Sequence, residues 1–404
     1  MSLPLLNNLD KSTWQKLSFG EIAQSIGERI DPTTTDLETY VGLEHIDPQT
    51  IHIKRFGKRE DVKGTKLRCY PGDIIFGRRR AYQRKAAICE FDGFCSAHSL
   101  VLRAIPEVID PKLFPFFLHS DQFMHRAVDI SVGGLSPTIN WTKLKKEEFL
   151  IPPKDQQAKL AELLWVADAS FERDSSLKDA LHMSLRVERN QIFSGDSNNN
   201  KLSVASDPSL EMLKIREILD PDQGILNGIY KSKEFQGSGT RIINMKEMFA
   251  FPILKNQKME LIQLTNKELS QFAVNEGDLI FARRSLVVEG AGKCALIGQH
   301  ETPMVCESSI IRTRFNLERV LPDYLFQFFL SASGRKSMRR IVCFTTVAGI
   351  TGSDLKLMKI PVIHPGRQLE IVKLLAEFSP RIRFAEIQMR RTKQLLKSLI
   401  NQIF

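Results

Sequence analysis

Much of this chain is written twice, and the repetition admits only folds built from two similar halves. A Gly-Asp-apolar-apolar-Phe string running into paired arginines occurs as PGDIIFGRRRAYQRK at residues 71–85 and again as EGDLIFARRSLVVEGAGK at 276–293. Further on, DPKLFPFFLHS at 110–120 is answered by LPDYLFQFFLSAS at 321–333. Each is followed by a Gly-containing loop and then by an Ile-Pro that opens a long helical pattern. Pro111 and Pro322, Ile139 and Ile350, and Gln157 and Gln368 all stand 211 residues apart. The starts agree as well, LSFGEIAQSIG at Leu17 against LKIREILDPDQG at Leu213. Several strings in one order at one offset are not a chance match between generic strands.

Each half reads as a globular segment followed by a helix. Short β-rich runs at 73–76, 100–103 and 279–282 alternate with aromatic-rich helical segments at 113–124 and 324–330, which predicts mixed α/β domains. Pro152 and Pro153 close the first globular part, nothing from Lys154 to Phe193 breaks a helix, and the polar stretch 194–209 reads as a linker. The expected division is therefore 1–152, a central helix over 153–196, a second globular part over 197–364 with 197–209 as its linker, and a C-terminal helix over 365–404.

The helices carry a heptad signal. Ile371, Leu375, Phe378, Ile382, Ala385, Met389, Thr392, Leu396, Leu399 and Ile403 alternate steps of four and three, the spacing of a coiled-coil seam. The same positions 211 residues earlier include Leu160, Leu164, Phe171, Leu181, Leu185 and Ile192. The two stripes are expected to bury against each other, the alternative being that each packs on its own globular part. Pro380 should kink the second helix near its start.

Fifty-seven basic against 47 acidic residues give a net charge of +10, a balance that favours polyanionic partners, nucleic acid first. The charge clusters where the repeat places it. Arg78, Arg79, Arg80, Arg84 and Lys85, with Tyr82 and Gln83, follow directly on an apolar strand without an acid among them. The second half offers Arg283, Arg284 and Lys293, then Arg335 and Arg339. Arginine pairs bidentately with guanine or with phosphate, so these residues are the expected DNA contacts. Catalytic signatures are missing. No Asp-Pro pair continues into the Pro-aromatic site of a base methyltransferase, and Gly290-Ala291-Gly292-Lys293 lacks the first glycine and the final Ser/Thr of a phosphate loop. Asp47, Asp61 and Lys63 only caricature a nuclease cluster, and His45 and His98 have no partner at a telling spacing. Six cysteines without a Cys-x-x-Cys pair argue against a zinc site or disulfide scaffold; no metal is expected. An N-terminus without a basic, apolar leader and the absence of a long apolar run predict a cytoplasmic chain without a membrane partner.

Two copies of a Gly-Asp-Ile/Leu-Ile-Phe strand, an FFL helix, a Gly loop and an Ile-Pro opening a Gln-containing helix resemble the DNA-specificity subunit of type I restriction-modification systems. The resemblance spans nearly the whole chain. It implies two target-recognition domains related by a pseudo-twofold, each reading half of a split DNA site, separated by two long antiparallel coiled-coil helices. It also implies two modification (methyltransferase) subunits docked on those helices and a motor-nuclease restriction subunit that joins later. The chain itself would be a non-catalytic reader of double-stranded DNA, with S-adenosylmethionine, ATP and Mg2+ on the partner subunits. Because RRRAYQRK and RRSLVVEGAGK differ, the site should be asymmetric. The alternatives are a stand-alone DNA methyltransferase or nuclease, or a scaffold that binds only protein.

Overall fold

A computed structural model describes residues 9–194, 202–344 and 347–404. Residues 195–201, part of the expected linker, lie outside the described residues. The fold is mixed α/β and divides into two compact units that are not contiguous in sequence. One comprises Met1–Leu177 with Ala385–Phe404, the other Lys178–Phe384. Each unit therefore holds one globular part and a portion of each helix.

In the first unit an antiparallel sheet runs in the order Ala23–Ile26, Ser99–Ala104, Ile74–Gly77, Ala86–Ile88. The helices Phe114–His119 and Asp121–Asp129 close one face of it around Phe19, Phe76, Phe117, Phe123 and Phe149, all fully buried. Rings of this size remove large apolar area from water and hold one another in tilted and edge contacts, such as Phe19 to Phe123 at 5.2 Å. A second sheet of five short strands packs Val41, Cys69 and Cys95 against Ile75 and Val101 on the other face. The second unit repeats the plan. Its main sheet runs Ile225–Asn227, Ile310–Thr313, Leu279–Ala282, Cys294–Ile297, Ile253–Leu254, covered by the helices Pro322–Leu330 and Ala332–Arg339.

The repeated Gly-Asp has a local cause. Gly72 and Gly277 take φ of +92° and +87°, left-handed values that a side chain would strain. The next residue in each unit, Asp73 or Asp278, is almost wholly buried, and accepts a hydrogen bond from the backbone N–H of Tyr70 or Asn275. It then pairs with Arg103 at 2.7 Å or with Arg314 at 2.7 Å, across to the neighbouring strand. The turn into each central strand is thus closed by an ion pair that leaves no buried carboxylate uncompensated.

The helices follow from capping and proline chemistry. The expected single segment 113–124 is two helices, because Ser120 accepts from Phe123 N–H as an N-cap and donates back to the carbonyl of Phe117. Ser331 breaks the corresponding helix in the second unit in the same way, capping Gly334 N–H. The central helix is continuous over Lys154–Phe193. The C-terminal one begins at Pro365, a favoured first helical position, and is interrupted at Glu377 between Pro365–Ala376 and Phe378–Ile403. Pro380 has no N–H to offer the carbonyl of Ala376, which accounts for a break three residues ahead of the proline.

Every described seam position is buried or half-buried: Leu160, Leu164, Phe171, Leu181, Leu185 and Ile192 on the central helix, and Ile371, Leu375, Phe378, Ile382, Met389, Leu396 and Leu399 on the C-terminal one. Both readings of the stripe hold in part. In the first unit Leu160, Ala161, Leu164 and Ala167 join Leu396, Leu399, Ile400 and Ile403 in one cluster, and the same cluster includes Leu113 and Phe116 of the globular part. The pairing is antiparallel, with Thr392 donating to Asp174 at 3.1 Å and the Lys393 ammonium 6.0 Å from the Phe171 ring. In the second unit Ile192 and Phe193 share a core with Ile371, Leu375, Tyr324 and Phe328.

The helices are pinned to the globular parts by matched amides. Gln157 accepts from Asp110 N–H at 2.6 Å and donates to the carbonyls of Val108 and Pro152, both at 2.8 Å. Gln368 makes the same three bonds to Leu321, Arg319 and Ile363. At the helix ends, Asn401 accepts from Asp121 N–H at 2.7 Å and Asn190 from Ala332 N–H at 2.9 Å, while Phe404 packs edge-on against Phe117 and Phe193 against Phe328. Ion pairs add to the hold: His52 Nε2 lies 2.7 Å from Asp168 Oδ2 in the first unit, and Arg367 Nε 3.3 Å from Asp207 Oδ2 in the second. The hydrogen bond that His52 donates to the Asp168 carboxylate raises the His52 pKa above its ordinary value against an opposing effect of burial.

Two measurements check this account. Gln157→Met strands one buried N–H and two carbonyls, so it should cost about 2–4 kcal/mol by urea unfolding; a cost below about 1 kcal/mol would contradict the clamp. Because the folded pKa of His52 is raised, its contribution is complete below the unfolded value of about 6.5 and is lost as pH rises through the folded one. The thermal-stability advantage of the parent chain over His52→Asn should accordingly shrink as pH rises above about 6.5, and an advantage independent of pH would refute the assignment.

Candidate nucleic-acid interface

In both units the chain leaving the central strand meets the Gly-containing loop that follows the FFL helices. In the first, Arg79 bridges Thr138, which bridges Val132, and the N–H groups of Arg80 and Ile139 bond the carbonyls of Pro137 and Arg78 at 2.8 and 2.9 Å. In the second, Arg284–Ser285 pairs with Ala348–Gly349 and that strand with Cys343–Phe344, while Ile350 N–H bonds the Arg283 carbonyl at 3.0 Å. Thr138 and Gly349 stand 211 apart in the chain, as do Val132 and Cys343. The same small antiparallel ribbon is thus built twice, with the paired arginines on its edge.

The structure divides the expected contact residues by what their heads do. Arg79, Arg80 and Tyr82 are exposed on the first ribbon. Arg80 and Arg84 flank the short turn between them in left-handed conformations, φ +57° and +53°, which cost of order 1 kcal/mol for a residue with a Cβ. Arg84 itself faces inward, with Nη1 2.5 Å from Asp121 and Nη2 donating to the carbonyl of His119 at 3.0 Å. Lys85 donates to the Leu43 carbonyl at 2.5 Å, and Arg78 and Gln83 are half-buried. In the second unit Arg284 and Arg339 are exposed. Arg283 is half-buried, its Nη1 3.4 Å from the Ser308 carbonyl. Lys293 donates to the Phe249 carbonyl at 2.9 Å and lies over that ring. Arg335 holds the loop before Lys293 by donating to the carbonyls of Glu289 and Gly292 at 2.7 and 3.0 Å. Burial lowers the pKa of Lys293 and of Arg335 below their ordinary values, the direction expected of cations turned into the protein.

Sequence reasoning overlooked the neighbours of these arginines. Leu135 forms the tip of the first ribbon, and Leu286, Val287 and Phe344 are exposed around the second. Lys356, Ser353 and Asn227 line a shallow polar hollow with Arg283. The only advance signal for Leu135 was the pair Gly133-Gly134 before it, which marks a loop but not what its tip carries. The groups weighed for catalysis are engaged in local structure. Asp47 pairs with Arg55 at 2.5 Å, Asp61 accepts from Lys58 N–H, and His45 Nδ1 accepts from Gly42 N–H. Among the described residues no group of three or more His, Cys, Asp or Glu could hold a metal, and no described helix is long and apolar enough to cross a membrane.

No family model matches the chain. It is 24% identical over 337 residues to the specificity subunit of the type I restriction enzyme EcoKI of Escherichia coli, spanning 81% of this chain and 70% of that one. It is 18% identical over 256 residues to the MjaVIII specificity subunit of Methanocaldococcus jannaschii, spanning 62% and 60%. Among solved structures, a chain of a type I restriction-modification system studied for complex assembly and conformational transition superposes with a TM-score of 0.58 at 18% identity, over 96% of this chain and 97% of that one. The S subunit from M. genitalium does so at 0.54 and 14%, over 98% of each. The resemblance carried by the repeated strings is met again in sequence and in fold.

The division of arginines is testable on the purified chain or its complex. Arg79→Ala with Arg80→Ala should leave the unfolding midpoint unchanged but reduce the salt dependence of DNA affinity by about one unit of slope per lost phosphate contact. Arg84→Ala should instead destabilise the fold by about 1–3 kcal/mol, since it removes the partner of Asp121 Oδ1 and of the His119 carbonyl, leaving Asp121 only its Asn401 and Lys397 contacts. Equal effects of both variants on stability would contradict the division.

Proposed function

We propose that this chain, which resembles type I specificity subunits over most of its length, is the sequence-reading subunit of a type I restriction-modification enzyme and catalyses nothing itself. The observation that carries the reading is the arginine-edged ribbon built at matching places in two similar units. One unit would supply each half of a bipartite DNA target. An antiparallel ribbon is narrow enough for the major groove, where every base pair presents a distinct pattern of donors and acceptors. Arg79 and Arg80 differ from Arg284 and its apolar neighbours in number and company, so the two half-sites should differ in sequence. Phosphate contacts would come from the remaining exposed cations, among them Arg339 and Lys356, which set register without reading bases.

Partners follow from the same reading. Two modification subunits would dock on the helices, whose outward positions include the exposed apolar residues Val166, Leu177, Met183, Val187, Ile387 and Leu395. Restriction subunits would join that assembly, and S-adenosylmethionine, ATP and Mg2+ would act on the partner chains.

Methylome sequencing of a host with and without this chain tests the proposal. The expected result is one asymmetric bipartite methylation motif that disappears with the chain, and co-expression with the modification subunit should yield two partner chains per copy of this one. DNA cut or methylated by the purified chain alone would overturn the reading in favour of a self-sufficient enzyme.

A further inference from the structure

Resting on the DNA-reading assignment, we infer that Leu135 and Phe344 are specificity residues that read thymine through its C5-methyl group in the major groove. Leu135 is 99% exposed at the tip of the first ribbon, and Phe344 is 61% exposed on the second. Both sit on the strand pair held by the arginine strand, through Val132–Thr138–Arg79 in one unit and Phe344–Ala348–Ser285 in the other. A single exposed leucine needs no explanation by itself. Here a large apolar side chain recurs on the same built element in both units, beside guanidinium groups directed to solvent.

At the first ribbon the setting selects the partner, and the matching construction of the second, where Leu286 and Val287 are exposed as well, extends the reading to Phe344. A protein partner for an apolar tip would be expected to meet a contiguous apolar patch. Beside Leu135 the exposed residues of the first ribbon and its turn are Val132, Arg79, Arg80 and Tyr82, too little apolar surface for a protein contact, and no acid of this ribbon opposes a polyanion. Apolar groups within reach of paired arginines match a base-pair edge on which the thymine methyl is the one apolar feature and guanine O6 and N7 are the acceptors. A two-stranded ribbon also fits the major groove, about 12 Å wide, better than the minor one at about 6 Å. Gly133, at φ +122°, lets the ribbon turn sharply so that the leucine leads.

Deoxyuridine lacks only that methyl and keeps every Watson–Crick and groove hydrogen bond, so it isolates the contact. Once the methylome has given the motif, the complex of this chain with its modification subunits is titrated with duplexes in which each thymine in turn is deoxyuridine. The parent complex should lose about threefold to tenfold in affinity at one or more thymines, the scale of one buried methyl together with its packing. In Leu135→Ala the penalty at one half-site should vanish, with thymine and deoxyuridine duplexes binding alike at about the parent's deoxyuridine level. Phe344→Ala should do the same at the other half-site only. Both side chains are exposed, and unchanged melting temperatures would confirm intact folds. Half-sites without thymine, a parent complex indifferent to deoxyuridine, or variants that keep the parent's discrimination would each overturn the inference. Indifference accompanied by fluorescence of an unstacked 2-aminopurine beside the tip would replace it with a wedge between bases. Failure of the complex to prefer any sequence would instead defeat the DNA-reading assignment itself.

Discussion

The buried glutamine near the start of each long helix is the interaction on which the rest of the arrangement depends. Gln157 and Gln368 each take three backbone groups that no strand or helix satisfies, at the point where the chain passes from a globular part into a helix. Left unpaired, such groups would cost several kcal/mol in total, so the glutamine fixes where the helix leaves the domain. Once the exit is fixed, the stripe of Leu160, Leu164 and Ala167 has a defined face, and the C-terminal residues Leu396, Leu399 and Ile403 have a surface to cover. The Asn-x-Ile-Phe ends complete the arrangement. Asn190 and Asn401 cap the helix after the FFL segment, and the terminal phenylalanines enter its aromatic core.

The basic residues serve two purposes that the charge count merges. Some of the guanidinium groups build the loops: Arg103 and Arg314 neutralise the buried aspartates of the Gly-Asp turns, Arg84 holds Asp121, and Arg335 gathers three carbonyls. Others, Arg79, Arg80 and Arg284 among them, have their heads in solvent on a hydrogen-bonded ribbon. Two arginines in left-handed conformations bracket Tyr82, so part of the folding free energy is held as local strain at the element that would meet DNA.

What the sequence determined on its own is what local chemistry and periodicity control. The two halves, the β-rich run 279–282, the helix from Lys154 to Phe193 and the buried face of both helices are legible because turn residues, alternation and the four-three step act over a few residues. Even Pro380 announced a break, displaced to Glu377 by the reach of one missing hydrogen bond. Tertiary structure alone decided which cations are free and which parts of the chain form a unit. Arg84 and Arg80 stand in the same basic run, and only the approach of Asp121 and the His119 carbonyl, brought in by a helix more than thirty residues away, separates them. Leu135 acquired its place beside Arg79 and Arg80 through a ribbon pairing that spans nearly sixty residues. The helices likewise divide between the two units because their far ends find cores in the other repeat, and an amphipathic stripe specifies which face is buried but not which surface will bury it.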